Sequence, residues 1–490
     1  MPVRAVWRPN EWVWPLLGIA TVLLAAGAYP QRLQGHWLVL TPLAIAAGVF
    51  AVRRLWSMHP APTMCAAIVL SVFSGAWREV GLGGLPLDRL LILVVVLQFL
   101  LRAPGVASAP RLRLRNVHLL LGLTVLYALG SAVAAGTLMS ESGFLSFADQ
   151  LGVVPFLMFI VAPSVFAGQR ERNMLLATLV GLGAYLGLTA IFESLGPHFL
   201  VFPRYILNVN TTLAEEARAG GPFRAVVAEG FATYACAVAA VMAFVQWRGQ
   251  RRRFLAAAVV AISLLGCILT LERGVWIGAI AASLIAASLT QAGRRRLVPT
   301  ALAFVLAGSV ALALSPTLAH ELSNRTGDQK TVWDRENQIS AGLRMLAAKP
   351  LFGFGWDRYT QDDLDYFRQP ADHPMFGYSH ANYESVGQLL PLHETYLSYA
   401  VELGLFGAVL WAASLLWGLG GTILARGPTE LVPWRAGLLA ITVCFLVIAL
   451  FNPYQSAFPV LLLWVWAGVA VGASPLPSRA HARHDARVGA

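Results

Sequence analysis

The chain has 490 residues, of which 57% are hydrophobic and 12% charged, with a formal net charge of +11. Soluble globular chains carry about 25% charged residues, so a water-soluble globular protein is excluded. The positive charge is almost all arginine and sits in short loops rather than in a basic stripe with interleaved aromatics, which fits membrane orientation and argues against nucleic-acid binding.

Taken in order, the apolar runs predict an all-α, polytopic membrane bundle of about fourteen helices, each run long enough for a hydrocarbon core of about 30 Å. They fall over 12–29, 36–52, 61–77, 85–101, 117–136, 150–167, 173–192, 226–246, 254–271, 275–290, 298–315, 394–423, 434–451 and 456–473. The first run has no small-residue cleavage site after it and reads as a retained span. Arginine clusters recur in alternate loops, among them Arg53/Arg54, Arg170/Arg172, Arg251–Arg253, Arg294–Arg296 and Arg426/Arg435. Lys/Arg bias sets orientation, so both termini are expected in the cytoplasm, with 194–225 and the long polar loop 316–391 outside. Within that loop, Trp333, Ile339, Leu343 and Leu346 recur at helical spacing and predict an amphipathic helix over 333–348. Lys349-Pro350 ends it, and LFGFGW supplies glycine breaks. Residues 1–473 read as one membrane domain and 474–490 as a disordered cytoplasmic tail. The four cysteines lie inside apolar runs without zinc spacing and read as small core residues.

Three residues from distant parts of the sequence share the outer membrane boundary in this topology: Arg224, Arg273 and His393. Charge at that depth is costly unless it faces a cavity or a partner. An arginine fork matches phosphate oxygens, and a histidine can take a proton from a hydroxyl. Together they suit the holding of a lipid diphosphate and the activation of an alcohol against the sugar it carries. Each also has a plainer reading. Arg224 could snorkel to headgroups, Arg273 could pair with Glu272, and His393 with Glu394 could cap a helix. The acids Asp362, Asp363 and Asp365 lack matched ligand spacing, so no metal site is expected. Walker, HExxH, GxSxG and CxxC signatures are missing from the sequence, which leaves nucleotide, zinc and serine hydrolase chemistry without support.

Three stretches carry a resemblance: LTLERGVWIGAIAASL, RMLAAKPLFGFGWDRY and LHETYLSYAVELGLFGAVLW. In order, spacing and sidedness they resemble the O-antigen ligase and O-antigen polymerase superfamily, over roughly 220–417. The resemblance implies a metal-independent, inverting glycosyltransferase without cofactor, acting outside the cytoplasmic membrane. Its donor would be a glycan on undecaprenyl diphosphate and its acceptor a glycan or lipid hydroxyl; membrane lipids and polysaccharide assembly proteins would be its partners. By position His393 matches the general base and Arg273 an arginine of the diphosphate site, with Arg224 the second. Glu394 and Arg204 are further substrate-binding candidates. Glu272 stands where the family usually has Ser, and Glu394 where it usually has Asn. A ligase and a polymerase are not separated by these motifs, and a lipid-linked oligosaccharide flippase or a noncatalytic scaffold is the alternative from another class.

Overall fold

A computed structural model describes residues 59–74, 86–102, 116–208, 218–288, 295, 330–359, 366, 392, 394–454 and 456–472. Every regular element among them is helical. Contacts divide the chain into two units, Met1–Arg102 and Ala103–Ala490. In the first, α1 (Pro60–Ser71) packs on α2 (Leu87–Arg102). Pro60 opens α1, the His59 ring accepts the Ala61 N–H at 3.2 Å, and Arg89 donates to Ser74 at 2.8 Å.

The second unit begins with α3 (Asn116–Ala135). Next, α4 (Glu141–Ser146) runs through a π turn at Phe147–Leu151 towards α5 (Val153–Val165). Four more helices follow: α6 (Gln169–Leu195), α7 (Val226–Gln246), α8 (Gln250–Leu269) and α9 (Arg273–Ser288). The amphipathic helix is present as α10 (Lys330–Ala348), three residues longer at its start than the spacing predicts. The last three are α11 (Thr395–Leu415), α12 (Val432–Ala449) and α13 (Ala457–Val471). The described residues contain 7 helices long and apolar enough to cross a membrane, and three shorter apolar ones, α1, α9 and α13. The expected spans at 12–29, 36–52 and 298–315 lie outside the described residues, so about fourteen remains an expectation.

Small residues set the packing. Helix α7 is the most enclosed span, lying against α6, α8 and α12. Where α6 crosses α8, a Cβ on Gly266 would stand 2.9 Å from the Gly187 Cα, so only glycine allows that approach. Helices α12 and α13 are joined by Trp466, whose indole donates to the Trp434 carbonyl at 2.9 Å. All four cysteines are buried, as their apolar setting predicts, and no disulfide joins them.

The two ends of this bundle differ. One carries the arginine clusters of 170–172, 248–253 and 426–435: Arg172 donates to Glu430 at 2.8 Å and to the Ala167 carbonyl, linking the start of α6 to the turn before α12. The other gathers residues 196–208 and 218–225, the α8–α9 turn, the start of α11 and the end of α12.

Candidate functional site

At that second end a chain of hydrogen bonds joins four segments. Arg218 donates to Glu272 Oε2 at 2.5 Å and to the Thr270 carbonyl at 3.3 Å. Asn452, just after α12, donates to Glu272 Oε1 at 3.2 Å. Its own carbonyl accepts the Thr395 hydroxyl at 2.8 Å. Glu272, Asn452 and Thr395 are all buried. A buried carboxylate is tolerated when both oxygens are paired, as here. The next residue but one, Gly274, is where α9 meets this knot, since a Cβ there would stand 2.7 Å from Asn452 Nδ2. The glycine of the Glu-Arg-Gly motif therefore has a packing reason.

The turn carrying Arg273 is fixed from two sides. Trp276 donates its indole N–H to the Cys267 and Ile268 carbonyls at 3.3 and 3.2 Å, and Ala219 N–H donates to Leu269 O at 3.0 Å. Leu271 is buried with φ 51° in a cluster with Ala190, Ala219 and Leu269. Arg273 follows as the first residue of α9, exposed while Gly274 and Val275 behind it are buried.

The loop bearing Arg218 and Arg224 is held as firmly. The Glu193 carboxylate, at the end of α6, accepts the Gly220 and Gly221 N–H groups at 3.1 and 2.9 Å. Tyr205 donates to the Pro222 carbonyl at 2.9 Å, and Phe223 packs on Phe458 with ring centroids 5.3 Å apart. Beneath Gly221 lies Glu229, 0% exposed, and neither of its oxygens has a hydrogen-bond partner among the described residues. Any side chain at Gly221 would run into that carboxyl. Arg224 closes the loop in the left-handed region, φ 52°, and reaches the Asn208 carbonyl at 3.4 Å. Left-handed backbone costs a non-glycine residue about 1–2 kcal/mol, so the loop over-determines where Arg224 stands. Arg204 turns back on its own segment, donating to the His198 and Phe199 carbonyls at 3.0 Å each.

His393 lies outside the described residues. Its neighbours on both sides are placed. Leu392 is buried with Met345, Tyr359 and Val401, and Glu394 caps α11 by accepting the Leu397 N–H at 2.6 Å. Burial pushes the Glu394 carboxyl above its usual range, against the opposing pull of the Leu397 and Tyr396 N–H groups.

Helix α11 is broken at Gly404, φ 68° and ψ 175°. Tyr399 and Trp411 lie with ring centroids 4.6 Å apart, whereas a straight helix would separate twelve residues by about 18 Å; the first arm therefore folds back on the second. The segment 350–355 clasps the break. Phe354 and Gly355 donate to the carbonyls of Val401 and Glu402 at 2.9 and 2.8 Å, and Leu405 and Phe406 donate to those of Pro350 and Leu351 at 2.8 and 3.3 Å. Tyr127 of α3 supplies the remaining bond, to the Leu403 carbonyl at 2.7 Å. Non-helical backbone at membrane depth requires such partners. Side chains at Gly353 or Gly404 would strike the Glu402 and Leu351 carbonyls, which explains one glycine each of LFGFGW and ELGLFG.

Sequence reasoning did not single out Glu193, Glu229, Asn452 or Tyr127. The two glutamates were detectable, because each is an acid at the end of an apolar run, the criterion that marked Arg224. Asn452 carries no comparable signal.

No curated protein sequence matches the chain. Residues 258–412 match the family model described as O-antigen ligase, a stretch that contains Arg273, His393, Glu394 and both halves of the clasp but neither Arg218, Arg224 nor Asn452. That segment, about a third of the chain, is similar to the O-antigen ligase family.

Proposed function

We propose that this protein is a membrane glycosyltransferase that moves a glycan from undecaprenyl diphosphate to an acceptor hydroxyl on the outer face of the cytoplasmic membrane. His393 takes the acceptor proton as the acceptor oxygen attacks the anomeric carbon from the face opposite the diphosphate. The bond to the diphosphate breaks, the configuration inverts, and Arg273 and Arg224 balance the charge that develops on the departing group. Diphosphate is a good leaving group, so this route calls for neither a general acid nor a metal. Arg204, whose amino groups hold its own turn, is a second-rank contact for the donor, and Glu394 orients the start of α11 beside the base.

The observation supporting this reading is the bond chain from Arg218 through Glu272 and Asn452 to Thr395, which draws the neighbours of Arg224, Arg273 and His393 to one end of the bundle. It also accounts for the departure at Glu272. Its charge is taken up by Arg218 and Asn452, so the positive field of the site survives the loss of the family's Ser. The test is reconstitution of the purified protein with lipid-linked glycan, following release of polyprenyl diphosphate with and without acceptor. Release should require acceptor and fall at least about a hundredfold in His393→Ala. Unchanged release in that variant, or transbilayer movement of intact lipid-linked glycan without release, would overturn the reading.

A further inference from the structure

Beyond Glu336, which is exposed on the same side, helix α10 turns an apolar face outward. Its inward side buries Asn337, Gln338, Ala341 and Met345, while Ile339, Leu343 and Ala347, four residues apart on one face, are exposed. The stripe does not end with the helix. It continues into Leu351 and Phe352, which are 63% and 68% exposed. Ile339, Leu343, Leu351 and Phe352, four large apolar side chains facing outward, mark an interaction surface.

What covers it follows from continuity. The backbone bonds from Leu405 and Phe406 to Pro350 and Leu351 hold this stretch at the level of the break in α11. From Gly404 to Ile423 the second arm has about the 30 Å length of a hydrocarbon core, so the break stands near the membrane boundary. Leu405, Phe406 and Val409, exposed on that spanning arm, form the lipid-facing surface into which Leu351 and Phe352 run. A cavity of about 470 Å³, lined by Leu126, Tyr127, Ser131 and Phe352 among others, lies along the same surface. We propose that α10 and Leu351–Phe352 are an interfacial anchor, lying against the phospholipid of the bilayer with Ile339, Leu343, Leu351 and Phe352 in contact with acyl chains. The clasp around the broken helix is thereby held at the bilayer surface by lipid as well as by protein.

The full-length protein in nanodiscs of phosphatidylethanolamine and phosphatidylglycerol tests this without an activity assay. A polarity-sensitive fluorophore is attached at Leu343→Cys and, separately, at Phe352→Cys, both exposed positions that leave the core intact. Val409→Cys serves as the lipid reference, Arg251→Cys as the aqueous one, and the unsubstituted protein controls for its four buried cysteines. Labels at 343 and 352 should lose intensity to brominated acyl chains within about twofold of the loss at 409, and little to iodide. Quenching by iodide and not by brominated lipid, as at 251, would overturn the proposal. So would protection from both quenchers, which would mean that another part of the chain or a second copy covers the face.

Discussion

At the scale of single residues, the Arg218–Glu272 pair decides how the turn before α9 tolerates a buried acid. Both side chains are largely buried, 14% and 8% exposed, so removing either partner leaves the other charge without compensation. Breaking such a pair costs about 3–5 kcal/mol, while replacing both partners by neutral groups is often close to neutral. Arg218→Met and Glu272→Gln should each lower the thermal unfolding midpoint in detergent, and the double variant should sit nearer the parent than the sum of the two losses. Strict additivity would mean that the bond carries no coupling. Glu394 offers a second case. Its carboxyl is held above its ordinary value of 4.5 by burial, so the folded state binds the proton more tightly than the unfolded one. The stability it contributes is complete below 4.5 and is lost as pH rises through its raised folded value. Glu394→Gln keeps an oxygen for the Leu397 N–H but cannot ionise. It should flatten the pH dependence of the unfolding midpoint above 4.5, and an unchanged slope would assign that dependence elsewhere.

At the scale of elements, the clasp is where reading the sequence and seeing the fold part company. The spacing of Ile339 and Leu343 made α10 legible, and each apolar run within the described residues became a helix. The join between PLFGFGW and VELGLFG was not legible, because periodicity treats each stretch alone and their backbone groups meet only in three dimensions. One signal was present. A run over 394–423 would be about 45 Å long as a straight helix, too long for a core of about 30 Å. The break at Gly404 resolves that excess. Gly404→Ala puts a Cβ against the Leu351 carbonyl in a region of φ/ψ essentially reserved for glycine, and should destabilise by about 3 kcal/mol or more. Tyr127→Phe is the milder probe, leaving the Leu403 carbonyl unpaired at a cost of about 1–3 kcal/mol. Trypsin cleavage after Arg358, three residues beyond the clasp, should speed up in the order parent, Tyr127→Phe, Gly404→Ala. Equal rates in all three would mean that the clasp does not hold this segment.

At the scale of the whole molecule, hydropathy located the described helices because lipid imposes one length rule on every span. The surroundings of the candidate residues were only partly legible. Arg224 and Arg273 were found as charges at span ends, but the partners that fix them, Glu193, Asn452 and Arg218, act through contacts that no local pattern encodes. In the second unit, the described helices place the turns at 247–249 and 425–431 with the end that holds Arg172 and Glu430, and those at 196–208 and 450–454 with the end that holds Glu272 and Asn452. The positive-inside rule then predicts the first end to be cytoplasmic. Fusions of a fluorescent protein that matures only in the cytoplasm should glow when joined after Gly249 or Ser288 and stay dark after Asn208 or Asn452. Alkaline phosphatase, active only outside, should give the opposite pattern at the same four points. The reverse result at all four would turn the molecule over and place Arg224 and Arg273 in the cytoplasm, where an acceptor built on the outer surface could not reach them. A mixed result would break the alternation of the helices themselves, so the four fusions test the fold and the proposed chemistry separately.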